Sequence, residues 1–287
     1  MIIDHIGEFF PDSPIWFGWL GRLAAPLFFY ALAVGFQHTR NRKKYLLRLY
    51  LANVGMVFFN QIMCMLQRKL DYVAYQPKNH NIFTTLFCAG VLICIWENRK
   101  EKKKFLTYIG IYIFWQAMLI KLAILVETYD YLWYGNAGLE TVLRTDYIFP
   151  LLGGIWDVEG GVFFIALGVC LYCAVEDRWK LTLYYILFCG TYLLMCEGDI
   201  LYRIMNRFSF WGYHKLADII YVGSWSTGIP LGTSDLSLLT EFYQWMMIGA
   251  LPIMLACNGK RGKSLKWLFY AAYPLQFLVL YGISYYK

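Results

Sequence analysis

The feature that most constrains this chain is a series of apolar runs long enough to cross a lipid bilayer. A helix needs about 20 mostly apolar residues to cross a hydrocarbon layer of about 30 Å. Five long runs and three shorter ones give the predicted spans Ile15–Phe36, Tyr45–Leu66, Ile82–Trp96, Phe105–Val126, Gly161–Val175, Leu181–Cys196, Leu238–Cys257 and Trp267–Tyr285. Because backbone polar groups in lipid must find partners within their own segment, these spans are predicted to be helices.

The composition supports a membrane protein and argues against a soluble domain. Apolar residues make up 59% of the chain and charged residues 16%, whereas soluble domains have roughly 45–50% and about 25%. We therefore predict an all-α, polytopic membrane helix bundle with about eight (8–10) transmembrane helices. No internal repeat or linker divides the chain, so residues 1–287 are predicted to form a single domain.

Lysine and arginine are concentrated in alternate loops between the spans. The cation-rich loops, which carry 15 of the 26 cations, are residues 37–44, 98–104, 176–180 and 258–266. The other loops are longer and carry 7 cations; they are residues 1–14, 67–81, 127–160 and 197–237. The cation-rich loops are therefore predicted to be cytoplasmic. Residues 197–237 are long enough for a further or re-entrant helix around Trp211–Pro230. The net charge of +7 follows this topology, so no nucleic-acid partner is predicted.

Three ionisable residues near the first span are candidates for chemistry. His5 is predicted at the outer edge of that span, and histidine is the usual general base near neutral pH. Asp4 does not face His5 on a helix, so it is predicted to hold a neighbouring helix or cation. Arg22 lies within the span, where a buried guanidinium needs a carboxylate, phosphate or carbonyl partner. The structural alternatives are an interfacial anchor for His5 and ion pairing within the bundle for Arg22.

The loop that follows the first span is a dense basic cluster at a helix start. Arginine forks and first-turn backbone N–H groups bind phosphates well, although anchoring of cytoplasmic charge is an alternative explanation. The candidate phosphate ligands are His38, Arg40, Asn41, Arg42, Lys43, Lys44 and Arg48. A second basic run, residues 99–104, is predicted to serve topology alone. No metal site is predicted, because the Cys170–Cys173 pair has no second ligand pair nearby.

Several ordered motifs resemble those of the TraX family. The first are Asp4-His5-Ile6-Gly7, Gly21-Arg22-Leu23-Ala24-Ala25-Pro26-Leu27-Phe28 and His38-Thr39-Arg40-Asn41-Arg42-Lys43-Lys44-Tyr45-Leu46-Leu47-Arg48-Leu49. The later ones are the segment from Asn79 to Leu86, Asn258-Gly259-Lys260-Arg261-Gly262, and the run from Lys266 to Pro274. Two features depart from the pattern: an apolar helix expected ahead of Asp4-His5 is absent, and Gln276 stands where the family usually has histidine. Little of the pattern is recognisable between residues 127 and 237.

The resemblance implies a function for these residues. TraX proteins are known for acetylating the N-terminal amine of conjugative pilin, and they are similar to wider polytopic acyltransferases. The resemblance implies that this chain is a bacterial inner-membrane (cytoplasmic-membrane) acetyltransferase that takes acetyl-CoA at the cytoplasmic basic loop. The acceptor, a pilin-like peptide or a glycan, is expected near the outer face. There His5 is expected to act as catalytic base, with Asp4 and Arg22 in the same site.

Two other functions remain open on the sequence alone. Arg22 and the basic loop are also compatible with a selectivity element of an anion transporter or channel, although no internal repeat is detectable. A membrane scaffold in a secretion or conjugation system would use the same motifs to bind lipid. Incubation of the purified protein with labelled acetyl-CoA separates these classes, because only an enzyme transfers or hydrolyses the label.

Overall fold

The computed structural model describes residues 1–10, 12–69, 81–134, 149–155, 158–197, 207, 237, 239–240, 243–257 and 266–286. Within these ranges the chain forms helices and no strand. The α-helices are α1 (Ile2–Phe9), α2 (Trp16–Gly21), α3 (Ala24–His38), α4 (Arg42–Lys69), α5 (Ile82–Glu97), α6 (Lys102–Tyr134), α7 (Phe149–Leu152), α8 (Gly161–Ala174), α9 (Arg178–Glu197), α10 (Leu251–Ala256) and α11 (Lys266–Tyr286). A 3-10 helix, Gln244–Ala250, leads into α10. The predicted all-α membrane bundle is confirmed.

Five helical segments in the described part of the chain are long and apolar enough to cross a membrane. They are Trp16–His38, Arg42–Met63, Ile82–Lys100, Lys102–Leu122 and Leu268–Tyr285, and each coincides with a predicted span. The remaining predicted spans coincide with α8, with α9 and with the 3-10 helix that continues into α10. Because α8 and the α10 segment are shorter, the count of eight spans stays a prediction. The predicted helix around Trp211–Pro230 lies outside the described residues.

Helices α3, α5 and α8 pack directly on one another at the centre of the bundle. Their contact faces carry fully buried side chains, including Phe29, Ala89 and Leu167. A Cβ added at Gly168 would lie 2.9 Å from side-chain atoms of both Ala89 and Phe29. The missing side chain therefore allows the helices to approach closely. Such small-residue contacts are a main source of helix association in lipid, where van der Waals packing replaces the hydrophobic effect.

Helix α6 lies at the edge of the bundle and exposes most of its apolar surface. Leu106, Ile111 and Phe114 are 65%, 61% and 67% exposed. A continuous apolar face of this kind is unfavourable in water, whereas it matches the acyl chains of a bilayer. The outer face of α6 is therefore the surface that contacts lipid.

The two predicted sets of loops belong to opposite ends of the helix bundle. At one end, the N-terminal ends of α3, α5 and α8 surround a common pocket. At the other end, Arg42 of α4 pairs with Glu97 of α5, and Glu97 also accepts a hydrogen bond from Tyr172 of α8. The first end belongs to the loops predicted to be external and the second to the loops predicted to be cytoplasmic.

The membrane orientation can be tested with single cysteines introduced into an otherwise cysteine-free chain. Because residues 98–104 are predicted to be cytoplasmic and residues 1–14 external, we expect Lys102→Cys to resist an impermeant maleimide in intact cells. Asp12→Cys, at the exposed start of the bundle, should be labelled. Permeabilised cells provide the control, since both positions should then react. Labelling of position 102 in intact cells would show that the orientation is the reverse of the predicted one.

Residues 149–155 enter the bundle at the level of the spans. Helix α7 ends at Leu152, and the chain turns at Gly153, whose φ of +68° favours glycine. Side chains from α4 and α6 donate to the carbonyl groups of this segment: Asn53 Nδ2 to Pro150 at 2.6 Å, Tyr50 Oη to Leu151 at 2.9 Å, Trp115 Nε1 to Leu152 at 2.9 Å and Gln116 Nε2 to Gly153 at 3.0 Å. Irregular backbone inside a membrane bundle is tolerated where protein groups satisfy it in this way.

This insertion corrects the predicted external loop over residues 127–160. Helix α6 continues as far as Tyr134, so the helix is longer than its apolar run. Residues 149–155 are part of the bundle, and residues 135–148 lie outside the described residues. The inserted segment stands just before Glu159 in the chain, and Glu159 lines the pocket at this end of the bundle.

Candidate functional site

His5 lies on a short helix of its own. His5 was predicted at the outer edge of the first span, and it lies beside the first residues of α3 in a common pocket. The helix that carries it is separate from the span, because α1 ends at Phe9 and α2 begins only at Trp16. Helix α1 packs against α2 and α11, and His5 on its buried face is 4% exposed. The centroid of the imidazole ring lies 4.5 Å from that of Phe277 and 6.3 Å from that of Tyr273. The histidine is therefore held by aromatic rings of α11.

Asp4 and Arg22 form an ion pair beside His5. Arg22 Nη2 lies 2.7 Å from Asp4 Oδ1, and Arg22 Nη1 donates to Gln244 Oε1 at 3.0 Å. The guanidinium also lies over the ring of Tyr243, 5.5 Å from its centroid. The prediction that Asp4 holds a neighbouring cation is confirmed. The buried Nε of Arg22 has no hydrogen-bond acceptor within the described part of the chain.

Glu159 brings a second carboxylate to the same place. Tyr273 Oη donates to Glu159 Oε2 at 2.9 Å and accepts from the backbone N of Ile82 at 3.4 Å. Thr85 Oγ1 donates to the carbonyl oxygen of Glu159 at 2.7 Å. The two glycines that follow Glu159, with φ of +76° and +64°, turn the chain into α8. Both the backbone and the side chain of Glu159 are thus fixed.

Sequence reasoning missed Glu159, Gln244 and Tyr273 as site residues. A usable signal exists for Glu159, because an acidic residue directly precedes Gly160-Gly161 at the start of an apolar run. Tyr273 belongs to the Tyr-Pro motif near the end of the chain, which carried the resemblance but suggested no role. We find no sequence signal for Gln244.

One cavity of about 110 Å³ brings these groups together. Its polar lining consists of Asp4, His5, Arg22, Glu159, Gln244 and Tyr273. Its wall also includes the first residues of α3 and α5 and the residue that precedes α8. First-turn N–H groups have no acceptor within their own helix, and helix N-termini carry a positive partial charge. The pocket therefore combines a histidine and two carboxylates with an arginine and helix N-termini, and the last two favour negative charge.

This combination can accept a proton and stabilise a developing oxyanion. A buried histidine is suited to act as general base. Arg22 and the helix N-termini are suited to stabilise negative charge on a carbonyl oxygen, since their positions are set before a reaction begins. The small cavity suits a short acyl group.

The predicted phosphate-binding loop lies at the opposite end of α3. Ala24 and His38 are 14 residues apart on this helix, a distance of roughly 21 Å at about 1.5 Å per residue. Of the predicted ligands, the exposed ones are His38, Arg40, Asn41, Lys43 and Lys44, while Arg48 is half-buried. The pocket and the basic loop are thus separate sites.

Two of the predicted ligands have structural partners in the folded chain. The side chain of Asn41 accepts a hydrogen bond from the backbone N of Lys44 at 2.9 Å and caps α4. Arg42 pairs with Glu97 at 2.9 Å and donates to the carbonyl oxygen of Thr39 at 2.6 Å. Arg42 therefore ties the loop to the bundle, and its predicted role as a phosphate ligand stays a prediction.

The fold and the pocket define the class of protein: a multi-pass helical membrane protein with a polar site at one end of the bundle. Residues 1–147 match the family described as TraX protein, which is half of the 287-residue chain. The chain belongs to the TraX family, so the resemblance is confirmed, and this membership associates it with conjugation. No curated protein and no solved structure matches it. The matched region includes Asp4, His5, Arg22 and the basic loop, whereas Glu159 and Tyr273 lie beyond it.

Proposed function

We propose that this protein is an acetyltransferase of the bacterial cytoplasmic membrane. It takes acetyl from cytoplasmic acetyl-CoA and transfers it to an amine or hydroxyl of an exported peptide or a surface glycan. The observation that carries the proposal is that His5, the Asp4–Arg22 pair and three helix starts share one pocket. Membership of the TraX family supports it.

The pocket residues have complementary roles in the proposed reaction. The acceptor attacks the thioester carbonyl carbon while its proton moves to the imidazole of His5. Arg22 and the first-turn N–H groups stabilise the negative charge that develops on the carbonyl oxygen. The C–S bond then breaks, and the departing thiolate takes the proton from His5. Asp4 keeps Arg22 in position throughout. These roles describe direct transfer. An acetyl-histidine intermediate is the alternative, in which the neutral imidazole of His5 attacks the thioester, the thiolate leaves, and the acceptor then displaces the imidazole.

The donor is proposed to bind through the exposed cations of the basic loop. Phosphates of CoA carry the negative charge that Arg40, Lys43, Lys44 and Arg48 would attract, and the first turn of α4 adds backbone N–H groups. The extended pantetheine arm then leads the acetyl group along the bundle toward the pocket. The acceptor approaches from the other end, which is predicted to be external.

The proposal is tested with purified full-length protein in lipid nanodiscs and radiolabelled acetyl-CoA. We expect transfer of the label to a peptide amine or a glycan hydroxyl, or slow hydrolysis when no acceptor is present. An anion channel would instead conduct in the absence of any acetyl donor. A scaffold would bind lipid and leave acetyl-CoA intact, which would contradict an enzymatic function.

Neutralising the exposed cations of the loop should weaken acetyl-CoA binding. The triple variant Arg40→Gln, Lys43→Gln and Lys44→Gln removes three charges but leaves the Arg42–Glu97 pair intact. We expect a loss of about tenfold in affinity, since partly solvated phosphate contacts each contribute about 1 kcal/mol or less. The remaining binding should be less sensitive to salt. Calorimetric titration at two ionic strengths measures both effects.

The second basic run offers a matched control. Lys100, Lys102 and Lys103 are exposed, and their replacement by glutamine removes the same charge at the same end of the bundle. This control should bind acetyl-CoA nearly as well as the unchanged protein. Equal losses from both triple variants would mean that the loop acts through general charge and contains no specific site.

A further inference from the structure

Two carboxylates line the pocket of His5, and different partners hold them. Asp4 lies 2.7 Å from the guanidinium of Arg22, so a cation balances its charge. Glu159 accepts a hydrogen bond from the phenol of Tyr273 at 2.9 Å. This hydrogen bond fixes the orientation of the carboxylate. Tyr273 is also a ring neighbour of His5.

A buried polar network sets the position of Glu159. Asn53, which is fully buried, accepts from Asn81 Nδ2 at 2.8 Å and from Thr84 Oγ1 at 2.7 Å. Asn53 also donates to the inserted segment that precedes Glu159 in the chain. On α5, the backbone N of Ile82 donates a hydrogen bond to Tyr273, and Thr85 donates one to the carbonyl oxygen of Glu159. Asn81 Oδ1 has no hydrogen-bond partner among the described residues, but the other bonds of the network hold α4, α5 and the inserted segment in one arrangement.

We infer that Glu159 is a positioning residue of this site, whose carboxylate stabilises the imidazolium formed when His5 takes the proton of the acceptor. This inference rests on the proposed function. The proton passes from the acceptor to His5 and from His5 to the departing thiolate. Glu159 forms no bond to either substrate and keeps its charge throughout. Its effect is electrostatic, because a carboxylate near an imidazole favours the protonated ring.

The surroundings of His5 favour Glu159 over the other charged groups for this role. The charged or titratable groups around His5 are the α-amino group of Met1, Asp4 and Glu8 on α1, Arg22 after α2, Glu159 before α8, and Tyr273 on α11. Neither the α-amino group nor Arg22 carries negative charge. Asp4 is paired with Arg22, and Glu8 is exposed, where solvent screens its charge. Tyr273 is neutral and donates a hydrogen bond to Glu159. Glu159, which lines the same pocket as His5, is therefore the carboxylate that we assign to this role.

The test is a titration of His5 by NMR in the full-length protein in nanodiscs. The chain has four histidines, so the His5 signal can be assigned by its absence from His5→Gln. We expect Glu159→Gln to lower the proton affinity of His5 by about tenfold or more. In transfer assays the same variant should lose about 10- to 100-fold in rate, and the acidic limb of its pH profile should move to lower pH.

Two further variants make the result decisive. Glu8→Gln removes the same charge from an exposed position on α1 and should change the proton affinity of His5 by no more than about twofold. Glu159→Asp keeps the negative charge, and the proton affinity of His5 in this variant should stay within about threefold of that in the unchanged protein. Only the distance between the carboxylate and the imidazole changes. If Glu159→Asp also lowered the proton affinity of His5 tenfold, the role of Glu159 would be purely structural. Equal titration of His5 in Glu159→Gln and in the unchanged protein would overturn the inference.

The NMR readout separates this inference from the proposed function. The titration of His5 requires neither acetyl donor nor acceptor. An unchanged protein that fails to transfer acetyl would end the proposed function, whatever the titration gives. An active protein whose His5 titrates independently of Glu159 would end this inference alone.

Discussion

Replacing His5 by glutamine is expected to lower acetyl transfer by about 10²- to 10⁴-fold, which is the usual contribution of a general base. Glutamine retains the size and hydrogen-bonding capacity of histidine but cannot take the proton of the acceptor. His5 is 4% exposed and packs on Phe277, so a smaller side chain would add a cavity to the chemical defect. The initial rate of labelled acetyl incorporation measures the effect.

Binding of the donor provides the internal control for His5→Gln. The basic loop is separated from the pocket by the length of α3, so the affinity for acetyl-CoA should remain nearly unchanged. Thr182→Val, an exposed change on α9 that removes a hydrogen bond within the helix, should leave both quantities near their original values. If His5→Gln turned over nearly as fast as the unchanged protein, His5 would be an interfacial anchor and not the catalytic base. Attention would then move to His38 and to His80 and His214, of which the last two lie outside the described residues.

Replacing Gly21 by alanine is expected to have the second-largest effect, although glycine carries no chemistry. A Cβ at this position would overlap the Cβ, Cγ and Oδ1 of Asp4. Asp4 would have to leave Arg22, and the guanidinium would lose its ion pair. Misplacement of a catalytic group by about 1 Å can cost about 100-fold in rate, and we expect a loss of that size. Overpacking should also lower the free energy of unfolding by about 1–3 kcal/mol.

The matched control is Gly55→Ala on α4. No atom lies within 4 Å of a Cβ added at Gly55, so alanine fits there without displacement. Because alanine favours a helix more than glycine does, this variant should be as stable as the unchanged protein or slightly more stable. Equal activity of Gly21→Ala and Gly55→Ala would show that the contact between Asp4 and Arg22 is not needed for transfer.

Several expectations from sequence hold because they depend on local and additive properties. A run of apolar residues in lipid forms a helix whatever its neighbours, since the backbone has no other way to satisfy its polar groups. Asp4 was expected to hold a cation because adjacent residues on a helix point in different directions. The ion pair with Arg22 has this arrangement.

Other features depend on residues far apart in the chain. Arg42 was predicted as a phosphate ligand from its loop alone, and only the packing of α4 on α5 shows that Glu97, 55 residues away, pairs with it. The loop over 127–160 was expected outside the membrane, yet Asn53 and Gln116 provide the hydrogen bonds that its irregular backbone needs inside the bundle. The local sequence around residues 149–155 does not indicate that distant side chains will donate these hydrogen bonds.

The sequence by itself determined that this chain is a multi-pass helical membrane protein with cations in alternate loops, and its motifs pointed to the TraX family. These properties follow from composition, spacing and the energetics of backbone groups in lipid. Only the tertiary structure decided that His5 stands on a separate helix and that Glu159 and Tyr273 share its pocket. The physical reason is that a site of this kind is made by packing: helix starts from distant parts of the chain meet at one end of the bundle, and that meeting depends on all of their side chains together.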